Sequence, residues 1–266
     1  MTSKIFVISA SRAEKQVTLR YMKRMIKNVS LLVPQEQVET YRLANPGWAV
    51  IGCEAKGIAA TRQYAVDLAR AWKCKNCFLV DDDLRFYTRP ADGGTSLKNS
   101  TPEQVEYAFA VLQNALDTYA HVTMGPRQFQ QSKSGDAYEL VRANNVHGYD
   151  LQVLKETGVR FDEMEVMEDY HVTLSLFERG FKNYGYYGTV WNQDGSGAKG
   201  GCSTYRTTEM QERSAKRLEE LHPNTVKAVI KRSESGIGVM GTRWDVNVKW
   251  RKAYENRADA SVRSTD

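Results

Sequence analysis

Apolar positions along the chain come in short bursts separated by amphipathic stretches. Residues 5–9 (Ile-Phe-Val-Ile-Ser) read as a buried strand ending in small polar residues. Residues 18–27 place Leu19, Met22 and Ile26 at helical spacing and predict a basic helix. Residues 30–34 predict a second strand, stopped by Pro34. Residues 35–42 predict a short helix, Asn45-Pro46-Gly47 a turn, and residues 48–52 a third strand. A helix from Gly57 to about Trp72 precedes the apolar strand Cys77-Phe78-Leu79-Val80, which runs into Asp81-Asp82-Asp83. This β-α-β-α-β-α-β alternation predicts a parallel sheet with helices on both faces, and such sheets bind ligands at the carboxyl ends of their strands. Ser9, Ser11 and Arg12, then residues 53–57, then the three aspartates all fall at that end.

The second half is less regular. Residues 88–100 read as a loop, and Thr101-Pro102-Glu103-Gln104 opens a helix running to about Tyr119. Residues 122–124 predict a strand, residues 128–136 a polar, mobile stretch, and residues 144–151 a short element. A helix over 167–179 is closed by Gly180. Residues 184–191 form an aromatic strand, residues 193–203 a glycine-rich loop, and residues 208–221 a charged helix. The polar tail beyond Ala258 is expected to fray.

Composition adds limits. The 266 residues are 41% hydrophobic and 26% charged, ordinary for a globular chain that buries a full core. No apolar run approaches the roughly 18 residues of a membrane span. The start of the chain is too short and strand-like for a signal peptide, and four cysteines (Cys53, Cys74, Cys77, Cys202) make no disulfide framework. A cytoplasmic protein with reduced thiols is expected. The net charge of +5 is unevenly spread. Residues 1–42 carry eight Lys/Arg against three Asp/Glu, and residues 205–266 carry thirteen against nine; residues 43–204 carry sixteen against twenty. The basic ends fit either a polyanion or plain solvated surface.

The acidic middle carries the candidate chemistry. Three adjacent carboxylates at a strand end are costly without a cation, and Asp81 and Asp83 fall on one side of an extended chain. Hard oxygen ligands of this kind suit Mg²⁺ or Mn²⁺; the competing reading is a solvated acidic turn. Glu168-Asp169 opens a helix whose Val172, Leu174, Leu176 and Phe177 pack inward. The pair either answers the helix dipole or supplies a general base. Arg12 and Arg62 fit a phosphate or an internal acid equally well. Gly57 lets a ligand approach the backbone, although no GxxxxGK[ST] or GxGxxG motif occurs. Cys74-x-x-Cys77 lacks the further ligands of a zinc site. Of the scattered histidines, His171 reads as a helix-surface residue and His147 as a group that could face a ligand. Tyr184, Tyr186, Tyr187 and Trp191 suit a core, or a stacking surface for a base or sugar.

Together these residues resemble a GT-A-type nucleotide-sugar glycosyltransferase. The likeness rests on Phe78 to Asp83 and on Glu168-Asp169-Tyr170 followed by Leu174 to Gly180. More narrowly, the chain resembles the TET-associated glycosyltransferases of bacteriophages. That likeness adds Gly57 to Ala65, Asn192-Gln193 and Gly200 to Arg206, and the resemblance spans about residues 4–206. It implies a single α/β domain with a mostly parallel central sheet flanked by helices. Residues 1–206 would divide into a nucleotide-binding half (about 1–90) and an acceptor half (about 91–206), followed by a basic helical extension over 207–266. It further implies sugar transfer from a UDP-sugar, UDP-glucose first, to a 5-hydroxymethylpyrimidine, above all 5-hydroxymethylcytosine, in double-stranded phage DNA, with no role for a membrane.

In that reading Asp83 and Asp81 hold Mn²⁺ or Mg²⁺. Ser9, Arg12, Gly57, Arg62, Asp81 and Asp82 hold the donor, and Asp169, with Glu168 as fallback, is the base. Lys23, Arg24, Lys27, Trp191, Arg206, Lys249, Arg251 and Lys252 would meet the acceptor DNA, with Trp244 and Trp250 beside an extruded base. Many GT-A enzymes add a C-terminal histidine to the metal shell; residues 192–206 hold none, and His222 is the only later one. The competing readings are a GT-A enzyme with a polysaccharide or protein acceptor, and a non-catalytic DNA-binding protein that keeps the fold.

Overall fold

A computed structural model describes residues 3–90, 96–128, 135–193, 205–232 and 242–262. The glycine-rich loop with its Gly200 to Thr204 segment, Cys202, most of the polar 128–136 stretch, part of the 88–100 loop and the last four residues lie outside the described residues. The chain opens as its pattern predicts: β1 (Ser3–Ile8), β2 (Val29–Pro34), α1 (Val38–Ala44), β3 (Ala49–Cys53), α2 (Ile58–Ala71) and β4 (Asn76–Asp81). Then follow β5 (Leu84–Thr88), β6 (Lys98–Asn99), α3 (Pro102–Ala115), β7 (His121–Pro126), β8 (Ala137–Glu139), β9 (Val146–Asp150), α4 (Leu151–Thr157), α5 (Glu168–Glu178) and β10 (Asn183–Gln193). The C-terminal extension holds α6 (Thr208–Leu221), β11 (Val226–Arg232), β12 (Thr242–Val248) and α7 (Trp250–Val262).

Ten strands form one sheet in the order β3-β2-β1-β4-β9-β7-β10-β5-β6, with β8 paired to β10. Seven strands run the same way; β5, β8 and β9 run against them. One face buries Val7, Leu31, Phe78, Val80 and Phe86 against Phe109 and Leu112 of α3. The other buries Phe6, Leu32 and Leu79 against Ala65 and Val66 of α2 and Leu154 of α4. A third core joins Leu174 and Phe177 of α5 to Ala215 and Leu218 of α6, Val226 and Val246 of the hairpin, and Ala253 of α7. Among the described residues no helix is long and apolar enough to cross a membrane.

Three local departures have physical reasons. The segment 18–27 is two 3₁₀ turns, Thr18–Tyr21 and Lys23–Met25, and no α-helix. Its buried residues Leu19, Met22 and Met25 recur every three positions, the period of a 3₁₀ helix, while Ile26 is exposed. The extension includes the β11–β12 hairpin as well as helices, with Trp244, Val246 and Val248 alternating toward α6. β5 follows β4 after only two turn residues, Asp82 and Asp83. Elsewhere the local signals hold. Thr101 and Gln104 form a capping box on α3, and Gly180, at φ +84°, ends α5 in the left-handed region that glycine adopts without strain.

Candidate functional site

The acid turn after β4 is clamped from below by one side chain. Thr18 donates from Oγ1 to the carbonyl of Asp81 (2.6 Å) and accepts the Leu84 amide (3.0 Å), while its own amide bonds the carbonyl of Asp82 (3.1 Å). Asp82 and Asp83 therefore lie in a turn, and the extended geometry predicted for Asp81 and Asp83 is replaced. The three side chains part company. Asp82 turns inward, 5% exposed, and accepts from Ser9 and from Arg12 Nη1 (2.9 Å). Ser9 is itself bonded to Tyr41 (2.6 Å) and Gln16 (2.8 Å). Arg12 Nη1 also reaches Asp83 (3.0 Å). Asp83 and Asp81 keep 18% and 30% exposure. Burial holds all three carboxyls above the usual range, with Arg12 or Arg62 pulling the other way.

Arg62 answers the choice left open by the sequence. It is 6% exposed and spans two internal acids, donating from Nη2 to Asp81 (2.9 Å) and from Nη1 to Glu168. It is a bridge between β4 and α5, with little surface left for a ligand. Glu168 is buried, and burial pushes its carboxyl up against the pull of Arg62. Asp169, the next residue, accepts on Oδ2 from Arg142 Nε (3.2 Å) and Nη2 (2.8 Å). α5 starts abruptly because Met167 before it takes φ +64°, which aims both acids from the first turn.

Asn145, also left-handed at φ +56°, completes the wall. Its carbonyl accepts the Asp81 amide (2.9 Å), and its Nδ2 donates to Asp81 Oδ2 (3.0 Å) and to Gln193 at the end of β10. Thr18, Asn145 and Arg142 were not among the candidates. Only Asn145 carried a local signal, in the Asn144-Asn145 pair before a strand; the other two gain meaning from partners 27 to 66 residues away.

Gly57, at φ +87°, begins α2 with open space over its Cα, and the Ile58 amide beside it donates to Tyr205 (2.8 Å). Arg206 follows, with its Nε buried and unpartnered and its charge acting on Glu168. Other expected residues lie elsewhere. Trp191 is core, its Nε1 bonded to the Met124 carbonyl (2.8 Å), so it cannot stack on an extruded base. Arg24 is tied to Glu103 (3.5 Å) and Glu106 (2.5 Å) of α3, leaving Lys23 and Lys27 exposed on the 3₁₀ segment. Lys249, Arg251 and Lys252 are exposed at the start of α7. Trp250 stacks on Tyr170, and Lys216 covers Trp244. His171 is buried, not superficial, and bonds His222 (3.1 Å); His147 is buried against Tyr149 (2.7 Å) and faces no cleft. Cys77 is a buried strand residue whose thiol burial pushes up.

The arrangement brings five charged side chains into two ion-paired groups that meet at the start of α5: Asp81–Arg62–Glu168, and Asp169–Arg142. Among the described residues no three His, Cys, Asp or Glu side chains are grouped to hold a metal unaided. The partly exposed oxygens of Asp81 and Asp83, whose ionisation burial opposes, fit a divalent cation that completes its shell with water and phosphate.

The chain resembles several solved structures at the level of overall shape. Mannose-1-phosphate geranyltransferase from Thermus thermophilus is 10% identical over 100% of both chains, with a TM-score of 0.49. A cytidylyltransferase from Leptospira borgpetersenii is 11% identical over 81% of this chain and 86% of its own (TM-score 0.42). The mannosyltransferase PcManGT from Pyrobaculum calidifontis, in complex with GDP-Man and Mn²⁺, is 14% identical over 68% and 53% (TM-score 0.43). No curated protein matches the chain. The sequence model of the family TET-Associated Glycosyltransferase matches residues 3–201. With the strand-end acids and the acidic start of α5 both inside that span, the chain belongs to the TET-associated glycosyltransferases.

Proposed function

We propose that this glycosyltransferase moves a hexose from a UDP-sugar, UDP-glucose first among them, to the hydroxyl of a 5-hydroxymethylpyrimidine, 5-hydroxymethylcytosine first, in double-stranded phage DNA. One observation carries the reading: in a chain of this family, Arg62 ties Asp81 of the acid run after β4 to Glu168, the first acid of α5. Asp83 and Asp81 would hold Mn²⁺ or Mg²⁺, whose charge would offset that of a leaving diphosphate. Asp82 and Ser9 fix Arg12 beside Asp83. Asp169 takes the acceptor's proton on Oδ1, the oxygen that Arg142 leaves free of its pair. Glu168, neutralised by Arg62, keeps the first turn of α5 in place.

Lys249, Arg251 and Lys252, with Lys23 and Lys27, support contacts to a phosphate backbone, and the target base must leave the stack to be reached. The burial of Trp191 and the engagement of Trp250 and Arg24 favour a second reading, a saccharide or protein acceptor on the same core. The deciding test incubates the protein with a panel of UDP-sugars, Mn²⁺ and duplex DNA carrying 5-hydroxymethylcytosine or 5-hydroxymethyluracil, then weighs the nucleosides. A hexose added to a hydroxymethyl nucleoside and abolished by EDTA is expected. Transfer to saccharide or protein alone would move the assignment to the second reading, and the absence of both transfer and UDP-sugar hydrolysis would leave a non-catalytic protein.

A further inference from the structure

The C-terminal helix reaches Asp169 through a stack of side chains. Arg142 lies between β8 and β9, and its guanidinium does two things at once. Along one edge it donates Nε–H and Nη2–H to Asp169 Oδ2 (3.2 and 2.8 Å). Its flat face covers the Tyr170 ring, 3.8 Å from the centroid. The Tyr170 ring lies on Trp250, with centroids 5.6 Å apart and planes tilted by 26°. Trp250 is the first residue of α7 and also meets the edge of Phe177 at 6.4 Å. The order is therefore Asp169, Arg142, Tyr170, Trp250, and it passes from the acid pair to the extension.

We propose that Arg142 is a positioning residue for Asp169, and that α7 takes part in sugar transfer by holding Arg142 in place through the Trp250–Tyr170 stack. The inference rests on Asp169 being the base. The argument is geometric. A carboxylate in the first turn of a helix can rotate, and a base must meet its proton within hydrogen-bond reach. A planar guanidinium whose edge grips one carboxylate oxygen fixes the direction of the other. A planar guanidinium bonds along its edge while its face stacks on a ring, and the ammonium of lysine has no such face, so lysine is no substitute. With Tyr170 itself resting on Trp250, loss of the indole would let the phenol and then the guanidinium swing. A misplacement of about 1 Å costs on the order of 10²-fold in turnover.

Two measurements test this. The first needs no substrate. In the intact protein the Arg142 Nε–H proton, bonded to Asp169, is expected to exchange slowly with solvent in NMR spectra. The protection should persist in Trp250→Phe, which keeps a ring face, and vanish in Trp250→Ala and in Asp169→Ala, which removes the acceptor. Protection that survives in Trp250→Ala would overturn the role of α7.

The second uses the donor and acceptor pair selected by the nucleoside assay. Arg142→Ala and Trp250→Ala are expected to lose about 10²-fold in kcat with donor KM within about twofold of wild type. Arg142→Lys should stay low, Trp250→Phe should recover, and added guanidinium should restore part of the Arg142→Ala rate. Arg142 is 39% exposed, so its variants are expected to fold even if Trp250→Ala does not. Wild-type kcat in Arg142→Ala beside an inactive Asp169→Asn would refute the positioning role alone. Wild-type kcat in Asp169→Asn would refute the base assignment, and the inference with it.

Discussion

Asp83 shows how one side chain can be costly alone and useful with a ligand. Its carboxyl is raised by burial, with Asp82 adding to the rise and Arg12 opposing it. A carboxyl raised in the folded state is a net burden wherever it is ionised, and the burden fades as pH falls through the raised range. Asp83→Asn removes the charge, so the variant is expected to melt above wild type near pH 8, with the difference closing toward pH 4. A thermal melt of both proteins across that range, without divalent cation, is the check; a gap that widens on acidification would contradict the sign. The same substitution should abolish any rise in melting temperature caused by Mn²⁺. Asp169 makes the complementary case. If it is the base, Asp169→Asn should lower turnover by about 10²–10⁴-fold while donor KM changes little. Normal turnover in both Asp169→Asn and Glu168→Gln would leave the pair as a helix start. Both acids were legible in the sequence because carboxylates clustered beside apolar runs are unusual. Thr18 and Arg142 were not, because nothing local distinguishes a threonine that bonds Asp81 across 63 positions.

Among elements, legibility follows how closely each one's burial matches a simple period. The strands β2 and β4 are buried nearly throughout, and β1 at Ile5, Phe6 and Val7, and all three stood out as apolar runs. α6 and α5 kept a 3.6-residue pattern and were predicted to within a residue. The β11–β12 hairpin was missed although Trp244, Val246 and Val248 alternate, because β11 reads Val-Lys-Ala-Val-Ile-Lys-Arg and leaves Ile230 62% exposed. The missing α-helix at 18–27 also rearranges the charge. Arg24 is engaged by α3, so the N-terminal cluster offers Lys23 and Lys27, while α7 opens with Lys249, Arg251 and Lys252. Neutralising the α7 trio should weaken duplex binding for every sequence. It should also flatten the slope of log affinity against log salt by about 0.9 for each phosphate that is no longer paired. Neutralising Lys23, Arg24 and Lys27 should flatten it less. Fluorescence anisotropy over a salt series separates the cases, and unchanged slopes in both trios would point to an acceptor other than DNA.

At the scale of the whole molecule, the sheet order puts β1, β4 and the bonded ends of β9 and β10 on one rim, which is why acids far apart in sequence meet there. The third core is built differently. Four of its nine buried residues come from α5 and the turn before it, and five from residues beyond 206. A chain cut after Arg206 would leave Leu174, Phe177, Met164 and Met167 without their cover, and losses of a few kcal/mol at each large apolar site are enough to unfold a domain. The fragment 1–206 is expected to be insoluble or to bind an apolar dye without a cooperative melt; a sharp melt near that of the full chain would show that the extension is dispensable. This core also sets an order of events during synthesis. The sheet's inner strands leave the ribosome early and offer Val172 and Leu176 of α5 a seat in the second core, but Leu174 and Phe177 gain their cover only when α6, the hairpin and α7 have followed. The helix that begins with Glu168 and Asp169 is thus held in two stages, one side by the sheet and Arg62 and the other by the elements beyond 206.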